Sequence, residues 1–173
     1  KWRETLAALK TASTYLPDRA DIITDIGFVQ ERMGDENAAI ACYRRALQSD
    51  AHLPLAHLNL GALLVRRGII EEAEEHLSAA LSSDTTMSTA LVNLAMLHDV
   101  ADRRNEVIPT YDRLLATQPD HIYGHFQRAL ALLCQEAFPA GWEEYLWRFR
   151  RPETQTLHNM FSIPFWQGEL LVG

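Results

Sequence analysis

The sequence predicts an all-α fold, a solenoid of stacked helix pairs, and two observations lead to it. Small and bulky residues recur at a fixed step of 34 residues along the chain. Between them the apolar residues follow the i, i+3, i+4, i+7 spacing of amphipathic helices. With 173 residues and 47% hydrophobic composition, the chain is also long and apolar enough to bury a core.

Four columns of equivalent positions keep the 34-residue step, two of small residues and two of bulky ones. The small columns are Gly27, Gly61, Ala95, Ala129 and Ala39, Ala73, Val107, Gly141. The bulky columns are Tyr43, Leu77, Tyr111, Tyr145 and Leu47, Leu81, Leu115, Phe149. Turn signals recur at one phase, at Gly34, at Gly68 and more weakly at Asp102. Each repeat is therefore predicted to be two helices joined by a tight turn, with small residues where the two backbones approach.

The elements follow in order from this phase. Residues 1–19 fit the second helix of an incomplete repeat, closed by Pro17. Full repeats are predicted at 20–53, 54–87 and 88–121, and a fourth helix pair at 122–151. Residues 152–173 show no repeat and are predicted to be a linker or a capping tail. A solenoid with an incomplete first repeat exposes a helix face, so self-association through residues 1–19 is a further expectation.

These residues resemble the tetratricopeptide repeat. The resemblance is carried by Leu60-Gly61, Ala73 and Ala80 in one repeat and by Ile26-Gly27, Ala39, Tyr43 and Ala46 in the one before. The first aromatic column departs from it, reading Ile23, His57, Leu91 and His125, and Ala51 and Thr85 replace the proline of the pattern. The resemblance implies a right-handed α-solenoid that binds a protein or peptide in a concave groove lined by the first helices.

A row of short polar residues falls on the first helices at equivalent places, at Asp25, Asn59, Asn93 and Gln127. It resembles the asparagine ladder of the superhelix in O-linked N-acetylglucosamine transferases, whose amides hold the backbone of an extended peptide. The alternative is that these side chains cap or bridge neighbouring helices. The remaining groove candidates are Phe28, Leu58, Arg66, Val92, Met96 and Phe126, and the alternative for the apolar ones is packing against neighbouring helices.

Other functions are disfavoured. A net charge of −7 argues against nucleic acid as a partner, and no run of about 18 apolar residues predicts a membrane span. The two cysteines form no disulfide framework or metal motif, and His121 and His125 lack further ligands, so we expect no metal and no cofactor. Catalytic motifs are missing, and the fragment is predicted not to be an enzyme. We expect a cytoplasmic location, although the chain begins at Lys1 and signals of a longer parent would lie outside it.

The stretch GWEEYLWRFRRP is predicted to end the solenoid, with Trp142, Trp147 and Arg148 marking that end. Its two tryptophans are expected in an ordinary second helix. Arg148 stands in the column that reads Ala46, Ala80 and then Leu114, and an arginine there would block the close approach of another helix. Together with Pro164, Trp166, Gly168, Leu170 and Gly173, the stretch resembles the junction of bacterial proteins in which these repeats lead into a glycosyltransferase-like domain. That resemblance implies an alternative function, substrate recognition within a larger transferase whose catalytic domain lies beyond Gly173. The other interpretation of the tail is a linker that covers the last helix pair.

Overall fold

The computed structural model describes residues 1–150. The predicted tail at 152–173, with its resemblance to a transferase junction, lies outside the described residues. Within residues 1–150 the chain forms α-helices and one 3₁₀ helix and no strand, which confirms the all-α class. The helices are α1 Trp2–Tyr15, α2 Ala20–Arg32, α3 Glu36–Ser49, α4 Pro54–Arg66, α5 Ile70–Ala80, α6 Asp84–Val100, α7 Arg104–Thr117, α8 Ile122–Cys134 and α9 Phe138–Tyr145, followed by the 3₁₀ helix Leu146–Arg150.

The chain divides into two compact units, here called the first unit, Lys1–Arg103, and the second unit, which starts at Arg104. In the first unit α2 pairs with α3 and α4 pairs with α5, while α1 packs on α2 and α6 packs on both α4 and α5. The second unit packs α8 against α7, α9 and the 3₁₀ helix. None of the helices in residues 1–150 is long and apolar enough to cross a membrane.

The core of the first unit is built from the columns that the repeat defines. Tyr43 and Leu77, from one bulky column, are fully buried, together with Leu60 and Leu64 of α4. A β-carbon added at Gly61 would lie 2.7 Å from Leu77 Cγ, closer than nonbonded carbons approach. The glycine therefore allows α4 and α5 to come together, as the small column indicated.

The turns between paired helices share an unusual backbone. Gly34 and Gly68 have φ values of 88° and 70°, in the left-handed region that glycine enters without a steric penalty. Asp102 and Glu136, one and two further repeats along, have φ values of 55° and 62° although they carry β-carbons. The left-handed geometry at this turn position is thus kept in four repeats, and glycine is present in only two of them.

The last helix of the second unit ends earlier than the sequence indicated. We expected Trp142 and Trp147 in one ordinary helix, but α9 ends at Tyr145 and Trp147 lies in the 3₁₀ helix Leu146–Arg150. A 3₁₀ helix has 3.0 residues per turn instead of the 3.6 of an α-helix, so the side chains after Tyr145 are rotated relative to a continued α-helix. The tighter winding accompanies a stack between Trp147 and His125 of α8, with ring centroids 3.6 Å apart.

Candidate partner-binding face

The first unit presents three of the polar row on the first helices of successive repeats, Asp25 on α2, Asn59 on α4 and Asn93 on α6. Asp25 is more exposed than the two asparagines, which are half-buried. Within residues 1–150 neither amide makes a hydrogen bond, and Asp25 forms no ion pair. The amides therefore do not cap or bridge the described helices, and their donors and acceptors remain available.

Asp25 sits in an environment that disfavours its charge. Partial burial, followed by the nearby charge of Asp21, raises the pKa of Asp25 above its ordinary value. Asp21 itself accepts two hydrogen bonds from the guanidinium of Arg19, at 2.9 and 2.5 Å, and this interaction lowers the pKa of Asp21. Arg19 therefore compensates Asp21, whereas no cation compensates Asp25 within the described residues.

Exposed or half-buried apolar side chains lie on the same helices as the polar row, but one of the predicted apolar candidates is buried in the core. Phe28 is 43% exposed and Met96 is 41% exposed, and Val92 is half-buried. Leu58 is only 7% exposed and belongs to the core cluster with Leu60 and Leu64. Leu58 thus serves packing between helices, which is the alternative that the sequence left open for the apolar candidates.

Trp2 extends the exposed apolar surface beside α2. Its ring meets Phe28 edge-on with centroids 6.2 Å apart, and the Arg32 guanidinium lies 5.9 Å from its centroid. Sequence reasoning missed Trp2, because the incomplete first repeat offers no equivalent first helix against which to place it. The available signal was an aromatic residue at the very start of an amphipathic helix.

Arg66 is engaged in the fold. Its guanidinium donates to Glu31 at 2.6 Å, and the other oxygen of Glu31 accepts from the Tyr43 hydroxyl at 2.8 Å. Burial, followed by this hydrogen bond, raises the pKa of Tyr43 far above its ordinary value, so its hydroxyl stays protonated and donates. Arg66 therefore joins α4 to α2 through Glu31, and a partner would compete with an existing ion pair for it.

The second unit carries the other two groove candidates. Phe126 stacks on Tyr145 with ring centroids 5.6 Å apart. Gln127 donates from its amide to the Tyr123 hydroxyl at 2.6 Å. In contrast to the two asparagines of the first unit, the amide of Gln127 already has an internal partner.

The residues predicted to mark the end of the solenoid surround Tyr145 and His125. Trp142 is 52% exposed and meets Tyr145 edge-on. The Arg148 guanidinium lies 4.3 Å from the ring centroids of both Tyr145 and Phe149, and Arg150 lies 3.9 Å above Trp147. Arg148 therefore packs on aromatic rings close to it in sequence, and its predicted role in blocking a further helix stays a prediction.

In two alternate repeats a histidine of the first helix is hydrogen-bonded to a side chain of the second helix, and sequence reasoning missed both contacts. In the first unit His57 Nδ1 lies 2.9 Å from His76 Nδ1, and its Nε2 lies 3.0 Å from the carbonyl oxygen of Ala51. Since a carbonyl only accepts, His57 donates from Nε2, and its Nδ1 accepts from His76. The signal was present in the first aromatic column, but the partner stands 19 residues further on in an unrelated column.

In the second unit the corresponding positions, each 68 residues later, carry the second pair. His125 Nδ1 is hydrogen-bonded to Glu144, and its Nε2 lies 2.6 Å from the carbonyl oxygen of Pro119. Arg128 donates to the other oxygen of Glu144 at 2.9 Å. His121 uses its Nδ1 to cap α8 by accepting from the Gly124 amide. Both histidines of the His121 and His125 pair thus have structural partners, and residues 1–150 hold no group of three or more metal-ligating side chains.

Comparison with known proteins agrees with this architecture. The profile of the tetratricopeptide repeat family matches residues 20–52, the segment that forms α2 and α3. The chain contains a tetratricopeptide repeat (TPR) domain. The TPR fold is shared by solved structures at low identity: the pilF protein of Pseudomonas aeruginosa, at TM-score 0.80 and 19% identity over 93% of this chain and 77% of that one, and YrrB, described as a TPR protein with an unusual peptide-binding site, at TM-score 0.72 and 13% identity over 90% and 84%.

Relatives in sequence are longer proteins. Tetratricopeptide repeat protein 8 of Homo sapiens is 30% identical over 106 residues, which are 61% of this chain and 19% of that protein. Protein O-mannosyl-transferase TMTC3 of Homo sapiens is 27% identical over 118 residues, 66% of this chain and 13% of that protein. The TPR domain therefore corresponds to less than a fifth of the length of either relative.

Proposed function

We propose that this TPR domain is a non-catalytic module that binds an extended segment of a protein on the first-helix face of its first unit. The observation that carries the proposal is that Asn59 and Asn93, at equivalent positions of successive repeats, leave their amides without hydrogen bonds to the described residues. An unpaired side-chain amide offers two donors and an acceptor. Such a group can pair with the backbone of a peptide in extended conformation.

The neighbouring side chains supply apolar contact. Phe28 and Met96 are each about two-fifths exposed, and Trp2 lies against Phe28. Exposed aromatic and methionine side chains are enriched at interfaces, and an aromatic ring buries much apolar area for little loss of conformational entropy. The face thus combines backbone-pairing amides with apolar anchors, which suits a peptide held without strict reading of its sequence. YrrB, whose fold this chain shares, is described as having a peptide-binding site, and this supports the same role here.

The test uses peptides selected from a random library on the whole chain. Their affinities are then measured by fluorescence polarisation for the wild type and for Asn59→Ala with Asn93→Ala. Loss of two to three neutral hydrogen bonds of about 0.5–1.5 kcal/mol each predicts binding weakened by about tenfold or more. Far-UV circular dichroism should be unchanged, because the two amides hold no described helix together.

The matched control is Asn105→Ala, which removes an exposed amide from the first turn of α7. Its affinity for the same peptides should equal that of the wild type. If the double variant also binds like the wild type, the asparagine face is not the binding site. If no peptide is enriched and no protein partner protects Trp2 or Phe28 from solvent, the binding function itself is wrong.

A second candidate function is substrate recognition within a larger bacterial glycosyltransferase. The match to a relative named as an O-mannosyl-transferase supports it, as does the resemblance of the C-terminal stretch to a transferase junction. Reading the coding sequence beyond Gly173 tests it, since a stop codon or a domain without a nucleotide-sugar fold would remove the hypothesis. Under either function we also propose a cytoplasmic location and self-association through residues 1–19. Sedimentation of the whole chain tests the self-association.

A further inference from the structure

A cavity of about 220 Å³ lies in the first unit between α1, α2 and α3. Its lining combines the apolar side chains of Ile23 and Ile26 with the polar side chains of Lys10, Ser13, Gln30, Cys42 and Arg45. Thr14 completes the lining, but its hydroxyl already donates to the Thr11 carbonyl at 2.7 Å. The cavity therefore has an apolar side and a polar side, the arrangement typical of small-molecule sites.

The repeat pattern explains why there is a cavity at this place. Ser13 stands 34 residues before Leu47, in the bulky column that continues with Leu81. Both leucines pack against the buried core of the first unit. A serine in this column leaves unfilled the volume that a leucine side chain occupies in the later repeats. The space thus follows from one exchange of a bulky side chain for a small polar one.

The polar groups that remain free around this space are hydrogen-bond donors. The Cys42 thiol donates to the side-chain oxygen Oε1 of Gln30 at 3.0 Å, so the free group of the Gln30 amide is its NH₂. Arg45 uses one N–H for the carbonyl of Pro17 at 3.0 Å and retains the others, and the Lys10 ammonium forms no ion pair within the described residues. No carboxylate lines the cavity, although the whole chain carries a net charge of −7.

The thiol itself is not suited to chemistry. Burial raises the pKa of Cys42, which keeps the sulfur protonated and weakly nucleophilic. The hydrogen bond to Gln30 also holds the sulfur in a donating role. The cavity is therefore a site for reversible binding, and Cys42 contributes to its wall.

We propose that this cavity binds a small oxyanion, a carboxylate or a phosphate, between Lys10 and Arg45. Two cations and the free donors of Ser13 and Gln30 match an anion that only accepts hydrogen bonds. The volume lies below the roughly 300–1,000 Å³ of sites for drug-sized ligands, which limits the ligand to a few heavy atoms. The site is separate from the asparagines of the proposed partner-binding face, so either can fail without the other.

The experiment titrates the whole chain with inorganic phosphate or with butyrate and follows backbone amide shifts by NMR, with sodium chloride at matched ionic strength as the reference. The test variants are Lys10→Gln, which removes one cation, and Ser13→Leu, which restores the leucine of the column. The matched control is Arg3→Gln, which removes the same charge from an exposed position of α1 outside the cavity. Thermal melts establish that each variant is folded.

We expect saturable shifts around residues 10–14 and 42–45 for the wild type and for Arg3→Gln, with affinity lowered about tenfold in Lys10→Gln and lost in Ser13→Leu. A response to phosphate alone or to butyrate alone identifies the class of oxyanion and supports the site. Shifts no larger than those of sodium chloride would overturn the proposal. Equal binding by Ser13→Leu and the wild type would also overturn it, since the anion would then lie outside the cavity.

Discussion

The left-handed turn position that recurs at Gly34, Gly68, Asp102 and Glu136 allows a reciprocal experiment on stability. Glu136→Gly removes a β-carbon from a residue held at φ 62°, and Gly68→Ala adds one to a residue held at φ 70°. A β-carbon at Gly68 would have no heavy atom within 4 Å. The change at Gly68 therefore tests the backbone alone, without any clash against neighbouring side chains.

The magnitude follows from two opposing contributions. A residue with a β-carbon pays about 1–2 kcal/mol in the left-handed region. Glycine has more conformational entropy in the unfolded chain, which disfavours folding by about 0.4–1 kcal/mol and offsets part of that cost. The difference predicts that Glu136→Gly raises the free energy of unfolding by about 0.5–1 kcal/mol, and that Gly68→Ala lowers it by about 1 kcal/mol.

The assay is thermal unfolding followed by far-UV circular dichroism, with hydrogen exchange to assign the change to a part of the chain. For a chain of this length, 1 kcal/mol corresponds to about 2–4 °C in Tm. Because Glu136 belongs to the second unit and Gly68 to the first, slower exchange should be confined to α8 and α9 in Glu136→Gly. Faster exchange should be confined to α4 and α5 in Gly68→Ala.

The control is Glu136→Ala, which removes the carboxylate but keeps the β-carbon. It should unfold within about 0.5 kcal/mol of the wild type, as exposed substitutions usually do. If Glu136→Gly is no more stable than Glu136→Ala, the backbone argument is refuted. A Gly68→Ala variant as stable as the wild type would refute it from the other side.

Three further predictions concern charged groups. Asp25→Asn should raise Tm at neutral pH, because burial and then Asp21 raise the Asp25 pKa, so that ionisation of this carboxyl opposes folding. The gain in Tm should disappear as the pH falls through that raised pKa. An equal gain at low pH would contradict this cause. Burial, and then His57, lower the pKa of His76 from 6.5, so the unfolded chain binds more protons and stability should fall as the pH drops below about 6.5. That fall should be smaller in His76→Gln than in the wild type, measured by urea unfolding at successive pH values. Glu144→Ala should cost about 2 kcal/mol in the second unit, because His125 and Arg128 both lose a charged partner, whereas Glu143→Ala on the same helix should cost little.

The sequence predicted the helix pairs because their determinants repeat. Gly61 and Leu77 recur as column types at the 34-residue step, and the contact between them is made inside one hairpin. Gly27 and Tyr43 make the same contact one repeat earlier, and a local contact that recurs in this way leaves a periodic trace in the sequence. The fold class and the helix pairs of the first unit could therefore be derived before any coordinates.

Contacts made only once left no such trace. Trp2 and Phe28 meet because α1 packs on α2 at one end of the first unit, and within residues 1–150 no other repeat makes the same contact. Leu58 and Val92 occupy the same column, yet Leu58 is buried and Val92 is half-buried, because different neighbours surround them. Exposure of a candidate site residue depends on these particular neighbours, and a column of residue types does not record it.

The hydrogen bonds His57–His76 and His125–Glu144 occur in alternate repeats, and they affect which helices of a repetitive chain can pair with each other. Repeats of equal length invite a helix to dock on the counterpart one repeat away, since the apolar columns would still match. If the helix of His57 docked on the second helix of the preceding repeat, His57 would face Cys42 instead of His76. A thiol is a weak hydrogen-bonding group. A ring nitrogen with a poor hydrogen-bond partner is less stable than one with a good partner, so we expect these pairs to disfavour hairpins assembled out of order.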